Sequence, residues 1–137
     1  MKRKDFQELA ALRLKEANVL LKARCWDGAY YLAGYAVECA LKACISKRTE
    51  RHDFPDKKRA NDVHTHQLVT LIKYSGLDEA LKALERTNPE LDANWVLVRD
   101  WSQDSRYGRP SQIDAENLLR ALTDRKHGVL RWLRQRW

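Results

Sequence analysis

Residues 28–47 read GAYYLAGYAVECALKACISK, and this stretch decides the fold. Its apolar side chains do not alternate as a strand requires, and they surround a helical wheel instead of lining one stripe of it. A helix that is apolar nearly all round belongs at the buried centre of a bundle. Ala29, Ala33, Gly34, Ala36, Ala40 and Ala43 are small enough for neighbouring helices to approach closely, while Tyr30, Tyr31 and Tyr35 supply bulk. A glycine in mid-helix costs about 1 kcal/mol relative to alanine, so close packing or ligand access at Gly34 should offset it. Glu38 and Lys42, in the middle of the segment, are four apart and can pair on one face.

Helical periodicity continues on both sides. Upstream, Phe6, Ala10, Leu14, Ala17 and Leu21 recur at steps of three and four and predict a helix over 5–24. Cys25-Trp26-Asp27-Gly28 breaks it, with Asp27 as the N-cap of the next helix. Downstream, Lys47 to Val63 is irregular and reads as a mobile, positively charged loop; six basic and three acidic residues fall between Lys47 and Arg59. Solvation alone is the better account of its charge. A third helix is expected from His66 to Tyr74, capped by Thr65 and stopped by Ser75-Gly76. A short helix comes next, over 78–86. Asn88-Pro89 then opens a helix to about Ser102. Ser111 with Asp114 resembles a capping box and starts a last helix of about 26 residues, roughly 40 Å long, with Gly128 as a bend. The expectation is an all-α fold, an up-and-down antiparallel bundle of four main helices plus one short helix, forming one domain over 1–137.

Composition narrows the function classes. The chain has 137 residues, 33% charged and 44% hydrophobic, which excludes wholesale disorder. The apolar run from Ala29 to Ile45 is about the minimum spanning length, but Glu38 and Lys42 are costly at a bilayer centre, so no membrane span is expected. Met1-Lys-Arg-Lys-Asp leads straight into the amphipathic pattern, so no signal peptide is expected and a cytoplasmic location is. The net charge of +7 favours nucleic acid, a nucleotide or an acidic protein as partner. Its excess lies in residues 1–60, with 14 basic against 8 acidic side chains, and not in 61–137, with 12 against 11. Cys25, Cys39 and Cys44 lack metal-ligand spacing and read as reduced thiols in or near the core. There is no HExxH, phosphate-cradling glycine loop or GxSxG, so neither a metal nor a cofactor is expected. His64-Thr65-His66 is better read as a helix start than as a metal site.

Two constellations remain. Glu38 and Lys42 on an apolar helix need partners or a cleft. Residues 104–110, DSRYGRP, gather Arg106, Tyr107 and Arg109, which suit phosphate and a stacked base. A cleft between helix two and this segment is one reading; an ion pair at the margin of the core is the other. Arg99-Asp100 is a further polar pair with no motif behind it. Trp95 and Trp101 fit the core or its rim. Trp132 and Trp137 flank arginines in RWLRQRW, where they could stack on nucleic acid or pack across a dimer.

Residues 28–43 also carry a resemblance. Their small-residue pattern with Glu38 and the Ala-Leu-Lys-Ala ending, the His66-Gln67-Leu68 start of the third helix and Ser105-Arg106-Tyr107 after the fourth resemble the HEPN (higher eukaryotes and prokaryotes nucleotide-binding) domains. The match spans nearly the whole chain, and the helix-two segment is its most specific part. It implies an up-and-down helical bundle that homodimerises, encoded beside a minimal nucleotidyltransferase in a toxin–antitoxin or defence module. It marks Glu38, Lys42, His66, Arg106, Tyr107 and Arg109 as nucleotide- or RNA-binding candidates. Many members are metal-independent RNases with Arg, four to six residues, then His; Arg106 would be the catalytic arginine here. The sequence departs at that point, because positions 111–113 are Ser, Gln and Ile. Arg59 with His64 and Arg120 with His127 meet the spacing elsewhere, in a loop and in mid-helix. The reading is a module that binds a nucleotidyltransferase, a nucleotide or RNA and is not expected to be an enzyme. The alternatives are an RNase toxin with substituted catalytic groups and a purely structural helical dimer.

Overall fold

The structure, a computed structural model, describes residues 1–52, 64–102, 104 and 107–137. Among them it is all helical: α1 (Arg3–Lys22), α2 (Trp26–His52), α3 (Leu68–Ser75), α4 (Asp78–Thr87), α5 (Pro89–Arg99), α6 (Gln112–Thr123) and α7 (Val129–Arg134). The alanine-rich segment is the centre, as its pattern requires. Helix α2 packs against α1, α3, α6 and α7. Ala29, Ala33, Ala36, Val37, Ala40, Leu41 and Ala43 are fully buried, while Tyr31, Tyr35 and Lys42 on the opposite face are half-buried. Leucines of α3 and α6 (Leu68, Leu71, Leu118 and Leu122) close over it, and the buried residues form one hydrophobic cluster. Among the described residues no helix is long and apolar enough to cross a membrane.

The α1–α2 turn forms without glycine at its left-handed position. Cys25 N–H donates to Leu20 O (2.9 Å) and Arg24 N–H to Leu21 O (3.1 Å), the bonding of a Schellman motif with Arg24 at φ 64°. Helix α2 therefore starts at Trp26, and Asp27 lies inside its first turn, where a negative charge suits the helix dipole, and is not the expected N-cap. At its other end α2 runs to His52, so the expected loop cannot begin at Lys47; its remaining part, 53–63, lies outside the described residues. Three other boundaries fall where local chemistry puts them. Gly76 ends α3. The Asn88 side chain caps α5 by accepting from Leu91 N–H at 3.2 Å. Ser111 and Asp114 exchange both bonds of a capping box, at 3.1 and 2.9 Å, despite the short acidic side chain.

The last helix is two helices, not one of about 26 residues. Asp124 leaves the helical path, and its carboxylate accepts from the N–H groups of His127 (2.7 Å) and Lys126 (3.0 Å), which hold it below the usual carboxylate range. Asn94 of α5 donates to His127 O at 2.8 Å and pins the turn. Gly128 closes it: a Cβ there would lie 2.5 Å from Asp124 O. The result turns Val129, Leu130, Trp132 and Leu133 of α7 into the core.

Gly34 has a similar explanation across the bundle. A Cβ at Gly34 would lie 2.1 Å from the Trp101 indole, which packs into the space the missing side chain leaves. Tyr31 flanks the same ring, with centroids 6.1 Å apart. Gly34→Ala gains helix propensity but forces a rigid ring out of place, so a net loss of about 1–2 kcal/mol is expected. Urea melts check it, and pairing Gly34→Ala with Trp101→Leu should cost less than the sum of the two single changes.

Candidate functional site

Position 38 lies on the central helix, and the Glu38 side chain is 1% exposed. A carboxylate there needs donors. Lys42, one turn on and 18% exposed, supplies Nζ at 3.3 Å from Oε1. The second donor comes from outside the helix. His66 precedes α3 in a turn where Thr65 Oγ1 accepts Gln67 N–H at 3.1 Å, and its Nδ1 meets the same Oε1. Oε1 already accepts from lysine, so Nδ1 must carry the proton, and Nε2 is the ring nitrogen left for other partners. Oε2 is buried and has no hydrogen-bond partner among the described residues. Burial and then the Glu38 charge push the Cys39 thiol up to about 11, and the same two causes raise Tyr35.

His66 also opens onto a cleft of ≈ 470 Å³. One wall is the start of α3 with Thr65 and Val69; the other is the end of α5 and the residues just beyond it, with Arg99, Asp100, Trp101 and Asp104. His66 therefore joins the buried charge cluster to solvent. Arg99 is exposed and makes no ion pair among the described residues. Trp101 is buried, and its indole N–H, packed toward Gly34, has no hydrogen-bond partner among the described residues. On α2, burial and then the charges of Asp114 and Asp100 raise Tyr30.

The structure gathers three of the candidate residues, Glu38, Lys42 and His66. Arg106 lies outside the described residues. Tyr107 is 77% exposed and Arg109 is exposed, and neither lines the cleft. A cleft lies between the start of α3 and the end of α5, with Asp104 in its wall; the cleft expected between helix two and residues 104–110 turns on Arg106, which lies outside the described residues. Arg99-Asp100, a pair without a motif, forms part of the cleft between α3 and α5. Trp101 was readable only as core or rim; the pointer to it was Gly34, whose missing side chain required a large neighbour. Among the described residues no cluster of three or more metal-ligating side chains occurs. Trp132 is buried, with the Arg136 guanidinium 4.0 Å from its ring centroid, so it is not a free stacking surface. Cys39 and Cys44 are buried as expected, whereas Cys25 is exposed.

Compared with known proteins, the chain matches no protein-family model, no curated protein and no solved structure.

This geometry makes two predictions. Glu38→Ala removes the charge together with its demand for donors and should cost about 1–3 kcal/mol, whereas Lys42→Ala with His66→Ala strands the carboxylate and should cost about 3–5 kcal/mol. Denaturant titration gives the order, and the reverse order would show that Glu38 does not depend on these donors. Alkylation at pH 8 should label Cys25 in the native protein and reach Cys39 and Cys44, each with its thiol pushed up to about 11 by burial, only after unfolding; mass spectrometry of the labelled peptides checks it.

Proposed function

We propose that the chain is a HEPN-like helical module that homodimerises and binds a minimal nucleotidyltransferase, a nucleotide or RNA in a toxin–antitoxin or defence-type system. One observation supports it above the others. The Glu of the second helix and the His that opens the third, both marked by the resemblance and 28 residues apart, share a bond at the edge of a polar cleft. The absent histidine after Arg106 favours binding over the family's RNA cleavage.

A second reading, a metal-independent RNase with substituted groups, is favoured by the orientation of His66. A histidine held at Nδ1 by a carboxylate and open at Nε2 is suited to take a proton from an attacking hydroxyl. In either reading the dimer contact lies away from the apolar side of α7, which the chain's own core uses. Leu12 and Val19 on α1 are exposed and suit such a contact.

Light scattering should give about twice the 16.1 kDa of one chain. Co-expression with a neighbouring nucleotidyltransferase gene should yield a complex, and a monomer that captures neither that partner nor a nucleotide would overturn the proposal. RNA incubated with the protein in EDTA decides the second reading: intact RNA, or cleavage unchanged by His66→Ala, removes it.

A further inference from the structure

Residues 1–60 carry the basic excess of the chain, and the candidate site does not use it. The fold concentrates part of that excess at one end of the bundle, where the start of α1, the end of α2 and the residues beyond α7 meet. Arg3 ties the three together. One guanidinium nitrogen lies 3.6 Å from the Glu50 carboxylate, and the other donates to the main-chain oxygen of Trp137 at 3.2 Å. The Cys44 thiol, pushed up to about 11 by burial, feels the opposing charges of Lys47, Arg136 and Arg3, so cations from all three elements converge on one region. Lys2 and Lys4 are exposed, and with Arg3, Gln7 and Glu50 they line an open hollow of ≈ 350 Å³. Among the described residues Lys2, Lys47 and Arg134 make no ion pair. Like charges gathered this way raise the local potential and attract a counter-charge.

Several observations select the chemistry of that counter-charge. Arg3 already holds a carboxylate and a main-chain oxygen, the two acceptors that an acidic peptide presents together. The Glu50 side chain is 59% exposed, and an ion pair this open is weak, so a partner's carboxylate can take its place. Glu50 also interrupts the positive surface, which suits carboxylates spaced along a protein better than a continuous phosphate backbone. The aromatic rings at this end are covered. Trp132 is buried with the Arg136 guanidinium over its ring, and Trp137 is packed on the core with Arg134 over it, so no base-stacking platform is left. Among the described residues Met1 is the one large apolar side chain exposed here, too little apolar area to enter a bilayer. We propose that this end of the bundle docks an acidic segment of a protein partner, whose carboxylates lie on Arg3, Lys4 and Lys47. Such docking goes beyond the proposed function and needs neither the HEPN-like reading nor the cleft beside His66.

The test is an NMR titration of the full-length protein at low salt with a short oligoglutamate peptide, its glutamine counterpart, a short single-stranded RNA and vesicles containing phosphatidylserine. The glutamate peptide should shift the amides of Lys4, Lys47 and Arg134 saturably, and the glutamine peptide should not. Lys2→Glu with Lys4→Glu changes exposed positions where acidic side chains suit the start of a helix, so the fold is kept, and should weaken binding about tenfold. Lys15→Glu with Lys82→Glu makes the same change in net charge at exposed positions elsewhere and should weaken it less than about twofold. Glu50→Gln frees Arg3 and should tighten binding about threefold. No saturable shift at this end, an equal loss in the two charge-reversed variants, or tighter binding of RNA or vesicles than of the glutamate peptide overturns the proposal. A failed nucleotidyltransferase capture would not alter this titration, so the two proposals fail separately.

Discussion

Glu38 is a carboxylate in the interior of the bundle, and the arrangement around the cleft depends on how its charge is compensated. An isolated charge in an apolar interior is too costly to keep, so donors must reach it. The helix itself supplies one, Lys42, through the four-residue spacing. The second has to come from another element, and His66 provides it. That bond ties the chain just before α3 to the middle of α2. It also sets the ring so that one nitrogen is committed and the other is available. One buried charge thereby acts on packing, on side-chain protonation and on the geometry of a surface cleft.

The opposite wall is set by a steric constraint. Trp101 lies just beyond the last turn of α5 and packs over Gly34, where any larger residue would collide with its ring. The indole docks the end of α5 on α2, a few residues from Glu38 along the same helix. Arg99 and Asp100 are carried with it to face the start of α3. Both walls are thus registered on the central helix, one by an ion cluster and one by a missing side chain.

Much of the fold could be read from local chemistry. The all-round apolar pattern of residues 28–47 identified the buried helix. Asn88-Pro89, Ser111 with Asp114, and Gly76 marked ends that their own hydrogen bonds produce. The errors arose where local signals compete. Asp27 has the chemistry of an N-cap, but the Schellman turn at Arg24 starts the helix earlier. The apolar stripe from Ala115 to Trp137 continues across a turn that Asp124 and Gly128 make, so periodicity alone could not show the break. Of the candidate site, the Glu38–Lys42 pair was accessible as an intrahelical spacing.

By itself the sequence determined that the chain is helical, that residues 28–47 lie at its centre, and that a charged pair sits there needing company. Each of these depends on residues within one or two turns, and short-range periodicity carries that information. Only the tertiary structure decided that His66 completes the pair, that Trp101 fills the space at Gly34, and that Arg99 shares a cleft with His66. These contacts join residues tens of positions apart. They depend on how helices are placed against one another, and no local spacing encodes that placement.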